Sequence, residues 1–226
     1  MNSLIGDSRA KGLKLGSLAS KISDNWGKSG ATIAAMEELC RDCVIMHHGE
    51  DDYGEKLHIY ITAGICNITS RIKYSNYEET YYDVEHADLI MDNVMEELEY
   101  IQRYVLSQNA TPIFCTIYPL SLKTWNETRL IQNKTANLCM TRDYEVMQMN
   151  LESDTEIINN HIFNLNKNLN MSTPNLAKQL KHFRGPKKHR SYRYNLLVDG
   201  CHPSSDFKSM IVKSISQSID KNRSRR

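Results

Sequence analysis

The chain has 226 residues, of which 40% are hydrophobic and 24% are charged, and its formal net charge is +1. These values predict one globular domain with a substantial core and give no sign of a strongly basic nucleic-acid-binding protein. No apolar run approaches the roughly 20 residues that cross a bilayer, and the N-terminus does not resemble a signal peptide. We therefore expect an intracellular protein of the cytoplasm or nucleus, with a domain over 1–220 and a basic, disordered tail over 221–226.

The chain begins with a short apolar strand that ends in a polar turn. Leu4 and Ile5 predict the strand, Gly6-Asp7-Ser8 form the turn, and apolar spacing over 10–15 predicts a helix. A serine between a buried strand and a helix occupies the usual position of a reactive hydroxyl on a parallel sheet. Taken alone, the same pattern also fits any turn between a strand and a helix.

Helices and strands are predicted to alternate along the rest of the chain. Apolar spacing predicts strands over 18–22, 57–63 and 111–118, and helices over 31–44, 86–106, 142–169 and 207–219. The helix over 142–169 is expected to break near 153–154, residues 71–83 to form a tyrosine-rich loop, and 120–137 to form an irregular surface segment. Strands separated by helices favour an α/β fold, a three-layer α/β/α sandwich of the flavodoxin-like type, with a mainly parallel sheet of about five strands.

The six cysteines lie mostly in apolar surroundings, which favours buried, reduced thiols. Cys40 and Cys43 form a C-x-x-C pair, but they fall on the apolar face of a predicted helix, and no second pair supports a zinc site. Two adjacent histidines, His47 and His48, precede an acidic stretch. Because adjacent side chains on a loop diverge, we interpret them as a solvated loop, and we predict neither a metal nor another cofactor.

A basic segment lies late in the chain. No acidic residue occurs between Glu156 and Asp199, whereas seven lysines and arginines lie between 178 and 193. Lys187, Lys188 and Arg190 are the candidates for contact with a phosphate-bearing partner, either nucleic acid or anionic lipid. The alternative is a solubilising segment, paired with the acidic helix of the same or a neighbouring subunit.

An aspartate and a histidine three residues apart follow this segment. Asp199 and His202 lie on a predicted loop before the last helix. A serine hydroxyl is a weak nucleophile near neutral pH and needs a base. His202 would accept the proton of Ser8, and Asp199 would orient the imidazole and stabilise its charged form.

Four blocks of the sequence resemble those of the SGNH (GDSL-like) hydrolases. The first is Gly6-Asp7-Ser8, the second spans 25–32, the third is Gly64-Ile65-Cys66-Asn67, and the last spans 199–203. The resemblance covers nearly the whole chain in the expected order. It departs from the family in the third block, which reads glycine, any residue, asparagine, aspartate in the family and has Cys66 at the asparagine position.

The resemblance implies a serine esterase that acts on an acyl-ester small molecule or lipid. Ser8, His202 and Asp199 would form its catalytic triad, and the backbone N–H groups of Ser8 and Gly30 would form the oxyanion hole. Asn67 would complete that hole if its amide takes the place of the family's asparagine. An S–H group at Cys66 would donate only weakly.

The resemblance also allows a second function of a different class. SGNH-like domains occur within polyproteins of retrotransposons and viruses, so the chain is interpreted as a domain of such a larger protein. A catalytically weak or inactive domain would then bind nucleic acid through 178–193. The altered third block favours this alternative, whereas the intact Ser8, Asp199 and His202 oppose it.

Overall fold

The computed structural model describes residues 1–11, 13, 20–48, 56–75, 80–87, 91–132, 144–184 and 189–225. In chain order its elements are β1 (Asn2–Gly6), α1 (Ser8–Lys11), β2 (Asp24–Gly27), α2 (Ile33–His48), β3 (His58–Thr62), β4 (Thr69–Ser75), β5 (Thr80–His86), α3 (Met91–Ser107), β6 (Thr111–Phe114), α4 (Leu122–Gln132), α5 (Tyr144–Asn168), α6 (Leu176–Leu180), β7 (Lys181–Arg184), β8 (His189–Tyr192) and α7 (Ser205–Arg223).

A four-stranded parallel sheet forms the centre of the fold, in the order β2-β1-β3-β6. Every residue of β1, β3 and β6 is buried, as expected for parallel strands that are covered on both faces. The predicted α/β sandwich is confirmed, with four strands in the described sheet where about five were expected.

Helices cover both faces of this sheet. Successive residues of a strand point to opposite faces, so each strand contributes side chains to both cores. Ile5 and Ile61 face a core that includes buried residues of α2, α3 and α5. Leu4 and Tyr60 face a second core that includes buried residues of α6 and α7. The two cores make the three layers of the sandwich.

The outer edge of β6 is paired with side chains of α5 instead of a fifth strand. Asn166 accepts a hydrogen bond from Phe114 N at 3.0 Å and donates one to Phe114 O at 2.7 Å. Asn159 does the same with Ile117 just beyond the strand, at 2.6 and 2.7 Å. A side-chain amide carries both a donor and an acceptor, so each asparagine satisfies a backbone residue as a neighbouring strand would.

The last helix is longer than predicted. Ser204 caps its N-terminus by accepting a hydrogen bond from Phe207 N at 3.3 Å. Apolar residues four apart then form its buried stripe: Phe207, Ile211, Ile215 and Ile219. The helix continues to Arg223, so residues 221–223 belong to α7 and the boundary predicted at 220 is not where the helix ends.

Two further expectations are wrong in the first half of the chain and in α5. The second strand is β2, at Asp24–Gly27, and Ile22 precedes it; residues 14–19 lie outside the described ranges. Helix α5 is continuous through the predicted break, because Asp154 does not cap a helix. Its carboxylate instead bonds His86 Nε2 at 2.6 Å and ties β5 to α5.

Two segments expected to be irregular are regular. Residues 71–83 fall in an antiparallel hairpin of β4 and β5, apart from 76–79, which lie outside the described ranges. Tyrosine and other aromatic residues favour strands, and this enrichment was the available signal. Residues 122–132 form α4, and Asn126 on this helix both donates to and accepts from the backbone of Val84, at 2.9 Å each. Helix α4 thereby holds the hairpin.

The paired cysteines are part of the core, as predicted. Cys40 and Cys43 are free thiols that are fully buried in α2, and Cys139 lies outside the described residues. His47 lies in the last turn of α2, which ends at His48, and its Nε2 lies 2.8 Å from Asp24 Oδ2, so it is not on a solvated loop. Within the described ranges no group of three or more metal-ligating side chains is found. No described helix is long and apolar enough to cross a membrane.

Candidate active site

Ser8 lies at the carboxyl edge of the sheet, between β1 and β3. At this point the strand order reverses, because β2 lies on one side of β1 and β3 lies on the other. Gly6 ends β1 opposite Thr62 of β3, and Asp7 N donates to Thr62 O at 3.1 Å. Ser8 then begins α1, and it is partly exposed while Asp7 and Arg9 are buried. Crevices at such a switch point are the usual ligand sites of open α/β sheets.

A short closed loop brings Asp199 and His202 to the same edge. A bridge between Leu197 and Pro203 closes the loop, and Val198 N donates to His202 O at 2.8 Å. Asp199 Oδ1 accepts from the backbone N–H groups of Cys201 and His202 at 3.0 and 2.8 Å. These bonds fix the carboxylate before it contacts the imidazole.

The structure brings the three predicted residues into one hydrogen-bonded row. His202 Nδ1 lies 2.7 Å from Asp199 Oδ2, and His202 Nε2 lies 3.1 Å from Ser8 Oγ, across 194 positions of sequence. An ionised carboxylate only accepts hydrogen bonds, so Nδ1 carries the proton and Nε2 is left to accept the Ser8 hydroxyl. A hydroxyl, an imidazole and a carboxylate therefore lie in one row, in the order that nucleophilic catalysis by serine requires.

The surroundings of Asp199 keep it charged. Burial alone would raise the pKa of Asp199, but hydrogen bonds from the backbone and side chain of His202 and from Cys201 N outweigh burial and lower it. An ionised Asp199 at neutral pH holds the imidazole in the tautomer described above.

A buried ion pair fixes the turn around Ser8. Arg9 and Asp7 are 3% and 1% exposed, and their charged groups lie 3.1 Å apart. Arg9 Nη1 also donates to Tyr118 O at 2.8 Å, and its guanidinium lies 4.3 Å above the Tyr118 ring. Burial alone would lower the pKa of Arg9, but the Asp7 carboxylate and Tyr118 raise it overall. The pair thus anchors the turn to the segment after β6.

Gly30 lies in the loop that follows β2, next to the end of β1. Lys28 N donates to Gly6 O at 3.0 Å, which brings this loop to the Ser8 turn. Gly30 has a φ of +70°, a conformation that side-chain-bearing residues rarely adopt. A Cβ there would meet no atom within 4 Å, so its backbone borders open space.

The third block contains two candidate oxyanion donors, Cys66 and Asn67. Both polar atoms of the Asn67 amide bond to other residues. Asn67 Oδ1 accepts from Ile33 N at the start of α2 at 2.8 Å, and its Nδ2 donates to Glu97 of α3 at 3.0 Å. Both ends of the amide therefore join α2 to α3.

Cys66 interacts electrostatically with the residues on either side of Ser8. Burial raises the pKa of its thiol; Asp7 adds to the increase, and Arg9 lowers it in part. Burial likewise raises the pKa of Cys201 to about 12, with smaller contributions from several charges and from Cys66. At neutral pH both are protonated thiols, so Cys66 presents an S–H group, which is a weak donor.

Helix α4 contributes an aromatic wall that the sequence analysis missed. Ser121 N donates to Gly200 O at 2.7 Å, and a Cβ at Gly200 would lie 2.6 Å from Trp125 N, so loop and helix are in close contact. The Trp125 ring lies 5.6 Å from that of His202. The spacing of Trp125 and Arg129 by four residues was a helical signal.

The predicted basic contacts are only partly described. Lys187 and Lys188 lie outside the described residues, and so does the side chain of Arg190, whose backbone is in β8. Two other cations of the segment make internal contacts. Lys181 pairs with Glu156, and Arg193 donates to a backbone carbonyl of α6. The prediction for these three contact residues therefore falls outside what the structure describes.

The fold resembles solved structures of ester hydrolases. A GDSL-like lipase from Bacteroides thetaiotaomicron superposes with a TM-score of 0.64 at 14% identity, over 98% of this chain and 88% of the lipase. An acetyl-xylooligosaccharide esterase from Geobacillus gives 0.53 at 15%, over 96% and 93% of the two chains. The esterase EstA from a Pseudoalteromonas species gives 0.51 at 15%, over 97% of each chain.

Sequence comparison finds less than structural comparison does. No protein-family model matches the chain, and no curated protein matches its sequence. The superpositions establish the fold. At identities of 14–15% they do not establish the activity, which depends on the residues of the site. The chain therefore has the SGNH-hydrolase fold, which confirms at the level of the fold the resemblance drawn from its four sequence blocks.

Proposed function

We propose that the protein is a serine ester hydrolase with Ser8 as nucleophile, His202 as general base and acid, and Asp199 as the group that orients His202. The row of two contacts from Ser8 Oγ through His202 to Asp199, at 3.1 and 2.7 Å, carries the proposal. Its position at the carboxyl ends of parallel strands, on a fold shared with lipases and esterases, supports it.

In the first half of the reaction Ser8 Oγ attacks the ester carbonyl carbon while its proton passes to His202 Nε2. The carbonyl π electrons move to oxygen and form the tetrahedral oxyanion. When the intermediate collapses, the C–O bond to the alcohol breaks and His202 Nε2 returns the proton to the leaving oxygen. In the second half water attacks the acyl-Ser8 ester by the same route and releases the acid.

Two backbone N–H groups are proposed to receive the oxyanion, those of Ser8 and Gly30. The N–H group of Ser8 is the first backbone N–H of α1. The open surroundings of Gly30 leave room for a carbonyl oxygen. Asn67 is not retained as the third donor, because its amide joins α2 to α3. Cys66 takes that place with a weak S–H donor, which predicts a slow enzyme.

Esters of small carboxylic acids are the proposed substrates. The Trp125 ring lies 5.6 Å from that of His202, and we propose that it limits the room around the reacting carbonyl. The similar structures include an enzyme that removes acetyl groups from xylooligosaccharides, which supports a small acyl group in this site.

Hydrolysis of p-nitrophenyl acetate tests the proposal. We expect saturable hydrolysis by the wild-type protein, and a loss of at least about 1000-fold in kcat in Ser8→Ala. Ser209→Ala, which changes a serine on the exposed side of α7, is the matched control and should keep the wild-type rate. Hydrolysis that persists in Ser8→Ala, or no hydrolysis by folded wild type with any short ester, contradicts the proposal.

A further inference from the structure

One exposed cation of α4 is held beside the candidate active site by stacking. The guanidinium carbon of Arg129 lies 4.4 Å from the centroid of the Trp125 ring. That ring lies 5.6 Å from the imidazole of His202, so Arg129 is within about 10 Å of the imidazole, the sum of the two distances. Arg129 thus lies near the row of Ser8, His202 and Asp199.

The contact with Trp125 holds the guanidinium of Arg129 but uses none of its hydrogen-bond donors. A guanidinium group carries five N–H donors along its edges, and a cation–π contact with the face of a ring leaves them available for hydrogen bonds. Among the residues that the structure describes, no carboxylate or carbonyl accepts from Arg129. A planar fork of this kind fits a carboxylate or phosphate with two parallel hydrogen bonds.

The other charges of α4 are arranged differently. Lys123 and Glu127 pair with each other at 3.9 Å on another side of the helix. Contacts between Ser121 and Gly200 and between Asn126 and Val84 hold α4 against both the His202 loop and the hairpin. The position of Arg129 relative to His202 is therefore set by the packed fold.

We infer that Arg129 is a specificity-determining residue that selects esters carrying an anionic group a few bonds from the reacting carbonyl. The inference rests on the proposed function, since it names the substrate class of the same site. A negatively charged acyl group would place its carboxylate against the free edge of the guanidinium while the ester carbonyl lies at Ser8.

Two esters that differ only in charge test this inference. Monomethyl adipate carries a free carboxylate, and methyl adipamate replaces it by a neutral amide of the same size; methanol release measures the hydrolysis of both. We expect Arg129→Gln to lower the ratio of their kcat/KM values about three- to tenfold, the range for one partly solvated charge pair. Arg129→Lys should restore part of the ratio, and added salt should reduce it in the wild type.

Lys123→Gln is the matched control, because it removes a cation from another side of the same helix. The inference is overturned if the ratio stays unchanged in Arg129→Gln, or if Lys123→Gln lowers it equally.

A binding measurement separates this inference from the proposed function. Ser8→Ala is titrated with monomethyl adipate and followed by tryptophan fluorescence, with Trp26→Phe in every variant so that the signal comes from Trp125, the indole that contacts Arg129. Binding that weakens in the Arg129→Gln background supports the anion site even if the wild type hydrolyses neither ester. Equal binding in both backgrounds overturns the inference even if hydrolysis depends on Ser8.

Discussion

Replacing Cys66 by asparagine should make the protein a faster esterase. The substitution restores the residue that SGNH hydrolases have at this position, and an amide N–H is a much stronger donor than a thiol. Cys66 is partly exposed, so its position has some access to solvent. Because Asn67 bonds Ile33 and Glu97, the proposed oxyanion hole of the wild type would have two strong donors, Ser8 N and Gly30 N, and one weak donor at Cys66.

The expected increase in kcat follows from the stabilisation that one hydrogen-bond donor gives to the oxyanion. Removing a strong oxyanion donor typically costs about 100- to 1000-fold in kcat, or about 2.7–4 kcal/mol. An S–H group retains part of this stabilisation, so we expect Cys66→Asn to raise kcat about 10- to 100-fold. KM should change little, because the added donor acts mainly on the transition state. Cys66→Ser should lie between wild type and Cys66→Asn, and Cys66→Ala should fall slightly below wild type.

The assay is p-nitrophenyl acetate hydrolysis under saturating substrate. A paired variant checks the assignment of Asn67: Asn67→Asp with Glu97→Gln reverses the polarity of the bond between these positions and keeps an acceptor for Ile33 N. This double variant should keep kcat within about threefold of wild type, since no oxyanion donor is lost. A Cys66→Asn variant no faster than wild type, together with a collapse of kcat in the double variant, would refute the reasoning.

Three further predictions follow from other contacts. Asp199→Asn should lower kcat about 1000- to 10,000-fold without unfolding, because an amide leaves His202 in the wrong tautomer; wild-type kcat in a folded variant contradicts this. The pKa of Asp199 is lowered on folding, so its stabilisation is complete above the ordinary carboxyl pKa of about 4 and fades as the pH falls through the folded value. The difference in Tm between wild type and Asp199→Asn should therefore shrink between pH 6 and pH 3, and a difference that grows toward low pH would contradict the assignment. Asn166→Leu should lower the free energy of unfolding by about 2–4 kcal/mol in urea titrations, because both backbone groups of Phe114 lose their partners. Asn168→Leu, at the end of α5, is the control and should change the free energy of unfolding by less than about 1 kcal/mol. Equal losses in the two variants would refute the pairing of Asn166 with the edge of β6.

Local patterns were sufficient where burial alone determines an element. Leu4 and Ile5 form a strand buried on both faces, and the stripe of apolar residues in α7 follows the helical period. The contact between Ser8 and His202 spans 194 positions, which no local pattern predicts. The order of the four sequence blocks predicted it, because the family resemblance carries tertiary information that periodicity does not.

Long-range polar contacts explain what the sequence did not reveal. Asn159 and Asn166 look like ordinary polar residues of a helix, yet they pair with the backbone at the edge of β6. Asp154 resembles a helix cap because aspartate often caps helices. Its actual partner, His86, is 68 positions away and is not visible in the local pattern. The sequence predicts an irregular segment around Trp125, and the packing of α4 against Gly200 brings the Trp125 ring to His202.

Covalent labelling of the nucleophile tests the central claim most directly. A fluorophosphonate ester reacts with an activated serine hydroxyl and leaves a stable phosphonyl group that peptide mass spectrometry locates. The account predicts a single adduct on Ser8, slower labelling in His202→Ala, and no adduct in Ser8→Ala. A folded wild-type protein that remains unlabelled at Ser8, or that is labelled equally fast without His202, would contradict it.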